Sequence, residues 1–217
     1  MSQAVEGSGK RRPRVIHVTT AHPADDVRIF ERECRSLAAT GNYDVYLAAA
    51  GQLPSGSGVT LIPLDLAPAS RLHRFWTGPH KAFALARSIS ADLWHFHDPE
   101  LLPVAYALAR RGRHVIWDAH EDYASQFTQG GGKSWIPGAL RGLVRTGTKA
   151  MLSAVDERVE AVIAATPTVA SRYRNHRTVV VGNETRLEVF DHCRPSFEAR
   201  EVLFTGTPGC GKQAWGR

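Results

Sequence analysis

The chain has 217 residues and a formal charge of +6, with 43% hydrophobic and 22% charged residues. That length holds one α/β domain with a sizeable core and is short for two. The composition excludes wholesale disorder, and no apolar run approaches the roughly 20 residues that span a bilayer.

Residues 1–13 are rich in Ser, Gly, Lys and Arg and read as a flexible basic leader. With no hydrophobic stretch behind them, they are not a secretory signal. Arg14 to Thr20 is β-branched and short, the pattern of a buried strand. Val27, Phe30, Cys34, Leu37 and Ala38 then recur on one helical face, with Arg28, Glu31, Arg32 and Arg35 largely on the others. Gly41-Asn42 ends that helix, and Tyr43 to Ala49 reads as a second strand. A third is expected around Val59 to Leu64, then, after Pro68, a helix to about Ser90. Asp92 to His97 is the fourth strand. Asp98 is placed to cap the next helix, with Pro99 at its first position, and that helix runs to Gly112. His114 to Asp118 is the fifth strand. A loop with three glycines, Gly130 to Gly132, leads to a helix from about Pro137 to Val155. Ala161 to Ala165 and Thr178 to Val181 complete the strands, flanking a helix from Pro167 to about Arg174. Seven strands alternating with helices predict a Rossmann-like, doubly wound parallel sheet. From Asp191 to Arg217 a polar linker is expected, followed by an eighth strand, Glu201 to Thr205, that opens a second domain.

Ligands of such sheets bind beyond the carboxyl ends of the strands, and the polar residues gather there. His22, Asp25, Asp26 and Arg28 follow the first strand. His95, His97, Asp98 and Glu100 follow the fourth, and Asp118, His120, Glu121 and Asp122 the fifth. His17 and His95 read as satisfied structural residues, and Asp98 and Glu100 have a plain role in charging a helix N-terminus. His95 and His97 point to one side of their strand, Trp94 and Phe96 to the other. Carboxylates crowd His120, which suits a proton acceptor or hydrogen-bond donor. Metal ligation by His95, His97, Asp118 and His120, as in metal-dependent hydrolases, is the less favoured reading, because such enzymes commonly need a closed barrel. Cys34, Cys193 and Cys210 have no CxxC spacing, which argues against a disulfide framework or a cysteine zinc site and suits a reducing cytoplasm.

Five blocks of this sequence resemble the N-terminal domain of family-4 glycosyltransferases. They are His22-Pro-Ala-Asp-Asp-Val-Arg-Ile-Phe30, His95-Phe-His-Asp-Pro-Glu-Leu-Leu-Pro103, Asp118-Ala-His-Glu-Asp-Tyr123, Ala161-Val-Ile-Ala-Ala-Thr-Pro167 and Val179-Val-Val-Gly-Asn183. The likeness covers roughly residues 14–190. It implies the acceptor-binding half of a GT-B enzyme, which transfers a sugar from a nucleotide-sugar donor to a glycan or lipid-linked acceptor with retention. It implies no metal at the sugar and no cofactor beyond the donor. By the resemblance, His120 lines the cleft as the catalytic residue, and Asp26, Arg28, His97, Asp98, Glu100, Asp118 and Glu121 belong to the acceptor side. The alternative is a non-catalytic acceptor- or lipid-binding module.

The sequence departs from the family in several places. No two glutamates are separated by seven residues, the spacing that holds the donor in complete members. Thr19 to Arg28 contains no glycine, and Asn183-Glu-Thr-Arg186 departs from the usual Asn-Gly. The donor half is therefore expected to be missing, or supplied in trans, with this chain inactive alone. Gly206-Thr-Pro-Gly-Cys-Gly-Lys212 looks like a phosphate-binding loop, but Gln213 stands where Mg²⁺ binding needs Ser or Thr. Arg141, Arg145 and Lys149 recur every four residues beside Leu140 and Leu143, a pattern suited to an anionic membrane surface. The expected location is the cytoplasm, peripheral at the inner face of the membrane. No nucleic-acid module or stacking pattern is visible.

Overall fold

The computed structural model describes residues 11–65, 71–123 and 138–182. The chain divides into two units, Met1–Asn183 and Glu184–Arg217, and every described residue belongs to the first. Residues 1–10 of the leader, Pro68, the Gly130 to Gly132 loop, Asn183 to Arg186, and the linker and eighth strand expected from Asp191 lie outside the described residues.

The seven expected strands all form: β1 (Arg14–Pro23), β2 (Asp44–Ala50), β3 (Thr60–Pro63), β4 (Leu93–Phe96), β5 (Val115–Ala119), β6 (Ala161–Ala164) and β7 (Thr178–Val180). They pair in parallel in the order β3-β2-β1-β4-β5-β6-β7. The order reverses between β1 and β4, which leaves a crevice at their carboxyl ends. Helix α1 comprises Val27–Cys34 and its continuation Arg35–Ala39, and α2 is Arg71–Ser88. A 3-10 turn, Pro99–Leu101, opens α3 (Leu102–Ala109), followed by α4 (Gly138–Asp156) and α5 (Pro167–Ala170). The last helix is shorter than its sequence suggests. The buried Asp156 carboxylate accepts from the backbone N–H of Arg174 (2.7 Å) and Asn175 (3.1 Å), offering these groups an alternative to helical bonds.

Strand alternation sorts the sheet into two unlike faces. One face carries Ile16, Val18, Trp94, Phe96, Val115, Trp117 and Ala119, buried with residues of α2, α3 and α4 in the main core. The other face is apolar over β2, where Val45, Leu47 and Ala49 pack against Ile29, Phe30 and Cys34 of α1. Over β1, β4 and β5 the positions on this face include His17, His95 and Asp118, all buried. His17 and His95 lie directly opposite each other in the β1–β4 register.

Helix α1 departs from the stripe read in the sequence. Val27 is 61% exposed, whereas Arg28 and Ile29 are buried. The cause is a widened, π-type stretch in which the N–H of Glu31 reaches Asp26 O (3.4 Å) and that of Arg35 bonds Phe30 O, five residues back. In a regular α-helix residues i and i+5 lie about 140° apart around the axis; in a π turn they share a face. Arg28 and Glu33 are so related, and both turn toward the sheet. Asp26 caps the helix, its Oδ1 accepting from the N–H of Arg28 and of Ile29 at 2.9 Å each. On the opposite layer, Gly78 lets α2 pass close to β1, since a Cβ there would stand 3.2 Å from Thr20 Cγ2.

Phe30, 1% exposed, anchors α1 to the sheet. Phe30→Ala is expected to destabilise the domain by about 3–5 kcal/mol, read as a lowered urea midpoint with an unchanged m-value.

Candidate functional site

The carboxyl ends of β1, β4 and β5 bring together a continuous polar network whose centre is Asp118, fully buried. Arg28 reaches it from α1 in a two-pronged pair, Nη2 to Oδ1 at 2.8 Å and Nε to Oδ2 at 3.3 Å, while Nη1 donates to Val181 O at 3.1 Å. His97 Nδ1 lies 3.1 Å from Asp118 Oδ2, and His97 Nε2 lies 3.1 Å from His17 Nδ1. The guanidinium and the imidazoles hold Asp118 well below the usual carboxylate range against the opposing effect of burial. An ionised Asp118 only accepts, so His97 carries its proton on Nδ1 and accepts at Nε2 from the Nδ1–H of His17. A chain of donors thus runs from β1 through β4 to β5.

Glu33 closes the network from α1. Its Oε1 lies 3.3 Å from Arg28 Nε, and its Oε2 lies 3.9 Å from Nδ1 of His17, of His95 and of His97. Burial first, and the Asp118 charge second, raise its carboxyl pKa well above the ordinary value. Burial likewise pushes the His17 imidazole down to about 3, and His95 further below its ordinary value. These rings are therefore neutral at pH 7. His17 Nε2, His95 Nε2 and both Glu33 oxygens are buried without a hydrogen-bond partner. An orphaned buried polar atom costs about 1–3 kcal/mol, so the sequence-based reading of His17 and His95 as satisfied structural histidines is corrected.

A second group of polar contacts shapes the β1–α1 loop. Asp98, expected to cap α3, makes no capping hydrogen bond. Its Oδ2 accepts from Thr19 Oγ1 (2.7 Å) and from the N–H of Thr20 (2.6 Å) and Ala21 (3.1 Å), and its Oδ1 lies 3.0 Å from His22 Nδ1. The donors at the end of β1 outcompete the helix N-terminus because they are buried and otherwise unanswered. Glu100, also buried, accepts at Oε1 from Thr20 Oγ1 (3.0 Å) and Arg74 Nε (2.5 Å). His22 gains from this arrangement, as its hydrogen bond to Asp98 raises its pKa.

Of the residues singled out in the sequence, Arg28, His97, Asp98, Glu100 and Asp118 are buried and hold other side chains in place. Asp26, His22 and His120 are partly exposed and form the rim. The His22 and His120 rings face each other at 5.5 Å, and His120 Nε2 stands 3.2 Å from Asp118 Oδ2. Burial pushes the His120 pKa down to about 4, so it is a neutral hydrogen-bonding group near pH 7. Glu121 is exposed and lines a different cavity of about 360 Å³ with Lys149 and Arg172. Glu33, Thr19 and Thr20 escape the sequence reading. The threonines look like ordinary strand residues, and Glu33 turns inward only because α1 is wound as a π-helix.

The pH dependence of stability follows from Asp98, whose hydrogen bonds bring its folded pKa from 3.8 down to about 2 despite its burial. A depressed carboxyl contributes stability that is full above the unfolded pKa and is lost as pH falls through the folded one. Asp98→Asn is expected to remove on the order of 2–3 kcal/mol at pH 7 and to flatten the loss between pH about 4 and 2, measured by urea unfolding across that range.

The sequence matches no protein-family model, and no curated protein matches it. Solved structures do share its fold. Sucrose-phosphate synthase from Thermosynechococcus elongatus superposes with a TM-score of 0.61 at 14% identity, over 82% of this chain and 50% of that one. Anabaena HepE, in complex with UDP and glucose, gives 0.52 at 11% identity, over 82% and 46% of the two chains. The catalytic domain of starch synthase IV from Arabidopsis thaliana, bound to ADP and acarbose, gives 0.52 at 10% identity, over 83% and 53%. The chain thus spans about half the length of the structures it matches. At these identities the likeness is one of fold: a seven-stranded, Rossmann-like parallel sheet of the kind found in the N-terminal domains of GT-B glycosyltransferases.

Proposed function

We propose that this chain is the acceptor-binding domain of a family-4-like, retaining GT-B glycosyltransferase, with His120 at the reaction cleft and the donor half lying in another domain. The observation that carries the reading is the rim at the switch point. There a neutral imidazole, His120, sits partly exposed above a buried anion, Asp118, 3.2 Å away, opposite His22 and next to the capped start of α1. Glycosyl transfer develops positive charge on the sugar and negative charge on the departing phosphate. A neutral histidine suits a hydrogen bond to a sugar or acceptor hydroxyl as charge develops, and the fixed carboxylate beneath it suits the positive side. The departing phosphate needs a cation or a helix N-terminus, and Arg28, the cation of this network, is committed to Asp118. The phosphate side therefore falls to the donor domain. Asp26 and His120 are the acceptor-side residues at the rim that would touch a ligand, while Glu121 lies apart from it on another cavity; Arg28, His97, Asp98, Glu100 and Asp118 act by positioning the rim. The substrate is a glycan or a lipid-linked acceptor.

Acceptor binding tests the proposal directly. Polyprenyl-phosphate and oligosaccharide acceptors are titrated against the chain, and one class is expected to bind. His120→Ala is then expected to weaken binding and, with a donor-binding domain supplied, to lower transfer by about 10²–10³-fold. Normal transfer by that variant removes His120 from the reaction. Acceptor binding with no transfer under any donor supply favours the non-catalytic binding module, and failure of every acceptor class to bind removes the reading altogether.

Lipid-linked acceptors would bring the domain to a membrane surface, and α4 is the surface we assign to that contact. Among the described residues no helix is long and apolar enough to cross a membrane. On α4, however, Leu140 (49% exposed) and Leu143 (72% exposed) stand outside the core, beside the exposed Arg145 and Lys149. Apolar side chains among cations are the ingredients of interfacial binding, about 1 kcal/mol per basic residue near an anionic surface. The chain is expected to sediment with anionic phosphatidylglycerol vesicles at low salt and to be released at high salt. Arg145→Glu with Lys149→Glu abolishes this; sedimentation unaffected by both changes excludes α4 as the contact.

A further inference from the structure

Potential ligating side chains of β1, β4 and α1 gather in one buried cluster. One nitrogen from each of His17, His95 and His97 and one oxygen of Glu33 all lie within 4.8 Å of one another. His17, His95 and His97 are no more than 4% exposed, and Glu33 lies between them and the surface with its side chain 11% exposed. The three rings crowd together with centroids 4.4–5.3 Å apart. Neutral imidazoles offer one lone pair each, and nothing in the cluster supplies enough donors to answer them.

We propose that His17, His95, His97 and Glu33 form a binding site for one divalent transition-metal ion of the zinc class, structural in role. Three imidazoles and one carboxylate are a ligand set that such ions take with four-coordinate geometry. A tetrahedron with metal–ligand bonds of 2.0–2.1 Å has edges of about 3.3 Å. One atom of each residue already lies within 4.8 Å of the others; His17 Nδ1 and His97 Nε2 stand 3.1 Å apart, and Glu33 Oε2 lies 3.9 Å from Nδ1 of His17 and of His95. Closing the set requires side-chain movements on the order of 1 Å and places the His17 proton on Nε2, the hydrogen bond between His17 and His97 giving way to the ion. Binding through Nε2 of His97 leaves its Nδ1–H donating to Asp118, the carboxylate–histidine–metal arrangement that fixes the tautomer and orientation of a ligating ring. A proton leaves Glu33 as the ion enters.

A second group, His97 with Asp118 and His120, also has ligand spacing. It is the poorer site, because a cation on Asp118 must displace the two-pronged Arg28 guanidinium. In the site we assign, no ligand has to leave Arg28 or Asp118 without a partner. The four ligands close the coordination sphere, so the ion carries no open position for substrate. Its effect is to fasten the π-wound segment of α1 to the sheet at Glu33. This inference stands on the cluster alone and is independent of glycosyl transfer.

The test uses the 217-residue chain, stripped with a chelator and dialysed against Zn²⁺ or Co²⁺. One equivalent is expected to be retained, the Co²⁺ form to show the visible d–d absorption of a four-coordinate site, and Zn²⁺ to raise the Tm. Glu33→Gln, which keeps the shape of the side chain, and His95→Ala are each expected to weaken binding at least tenfold. His114→Ala, at an exposed histidine whose side chain is 66% accessible, leaves it unchanged. Should His95→Ala fail to fold, Glu33→Gln alone decides. Absence of a retained equivalent overturns the site, as does retention that survives Glu33→Gln with unaltered affinity and absorption.

Discussion

The functional edge of this domain depends on one buried ion pair. Asp118, at the end of β5, has no access to water, and it is answered by Arg28 from α1 and His97 from the end of β4. A buried pair adds little stability over apolar residues of the same shape, but removing one partner strands a charge and costs about 3–5 kcal/mol. The pair therefore acts as a constraint. Helix α1, the end of β4 and the end of β5 can occupy only the mutual arrangement in which the carboxylate keeps both partners. The π-wound stretch of α1 belongs to that constraint, because it presents Arg28 and Glu33 to the sheet together.

Around this pair the polar residues divide by depth. Asp98 through both oxygens and Glu100 through Oε1 hold Thr19, Thr20, Ala21, Arg74 and His22, and so fix the loop between β1 and α1. Asp26 caps α1 at the end of that loop. The residues left for a ligand are few and lie at the rim, where His22 and His120 face each other. A site of this construction has its rim side chains held from below, which suits recognition that depends on orientation.

The strands, their order of appearance and the polar strand ends were legible in the sequence. β-branched and aromatic runs separated by amphipathic segments admit few other architectures. The alternation within Trp94-His95-Phe96-His97 also gave the correct facing, with Trp94 and Phe96 in the main core and the two histidines on the opposite face. Three things were not legible. Helical periodicity assumes a regular α-helix, which places Val27 inward and gives Glu33 no place on that stripe; the π-type winding reverses both. Asp98 before Pro99 has the look of a helix cap, and only the tertiary approach of the β1 end shows that its oxygens go elsewhere. His17 and His95 read as ordinary buried histidines, because satisfaction of a ring nitrogen depends on partners distant in the chain.

The asymmetry of the sheet itself argues that stability does not account for the polar face. The strands that carry Ile16, Trp94, Phe96, Val115 and Trp117 on one side carry His17, His95 and Asp118 on the other, with His97 just beyond the end of β4. Packed apolar residues at those positions would cover the sheet without orphaned nitrogens, a buried carboxyl of raised pKa or neutralised imidazoles. Such a face costs free energy that the main core must offset. What it provides is a rigid, nearly dry set of hydrogen-bonding and ligating atoms opening at the switch point between β1 and β4, the one place where an open parallel sheet leaves room for a ligand. The polarity and the crevice coincide, and a purely structural account of the cluster explains neither that coincidence nor the buried polar atoms left without a hydrogen-bond partner.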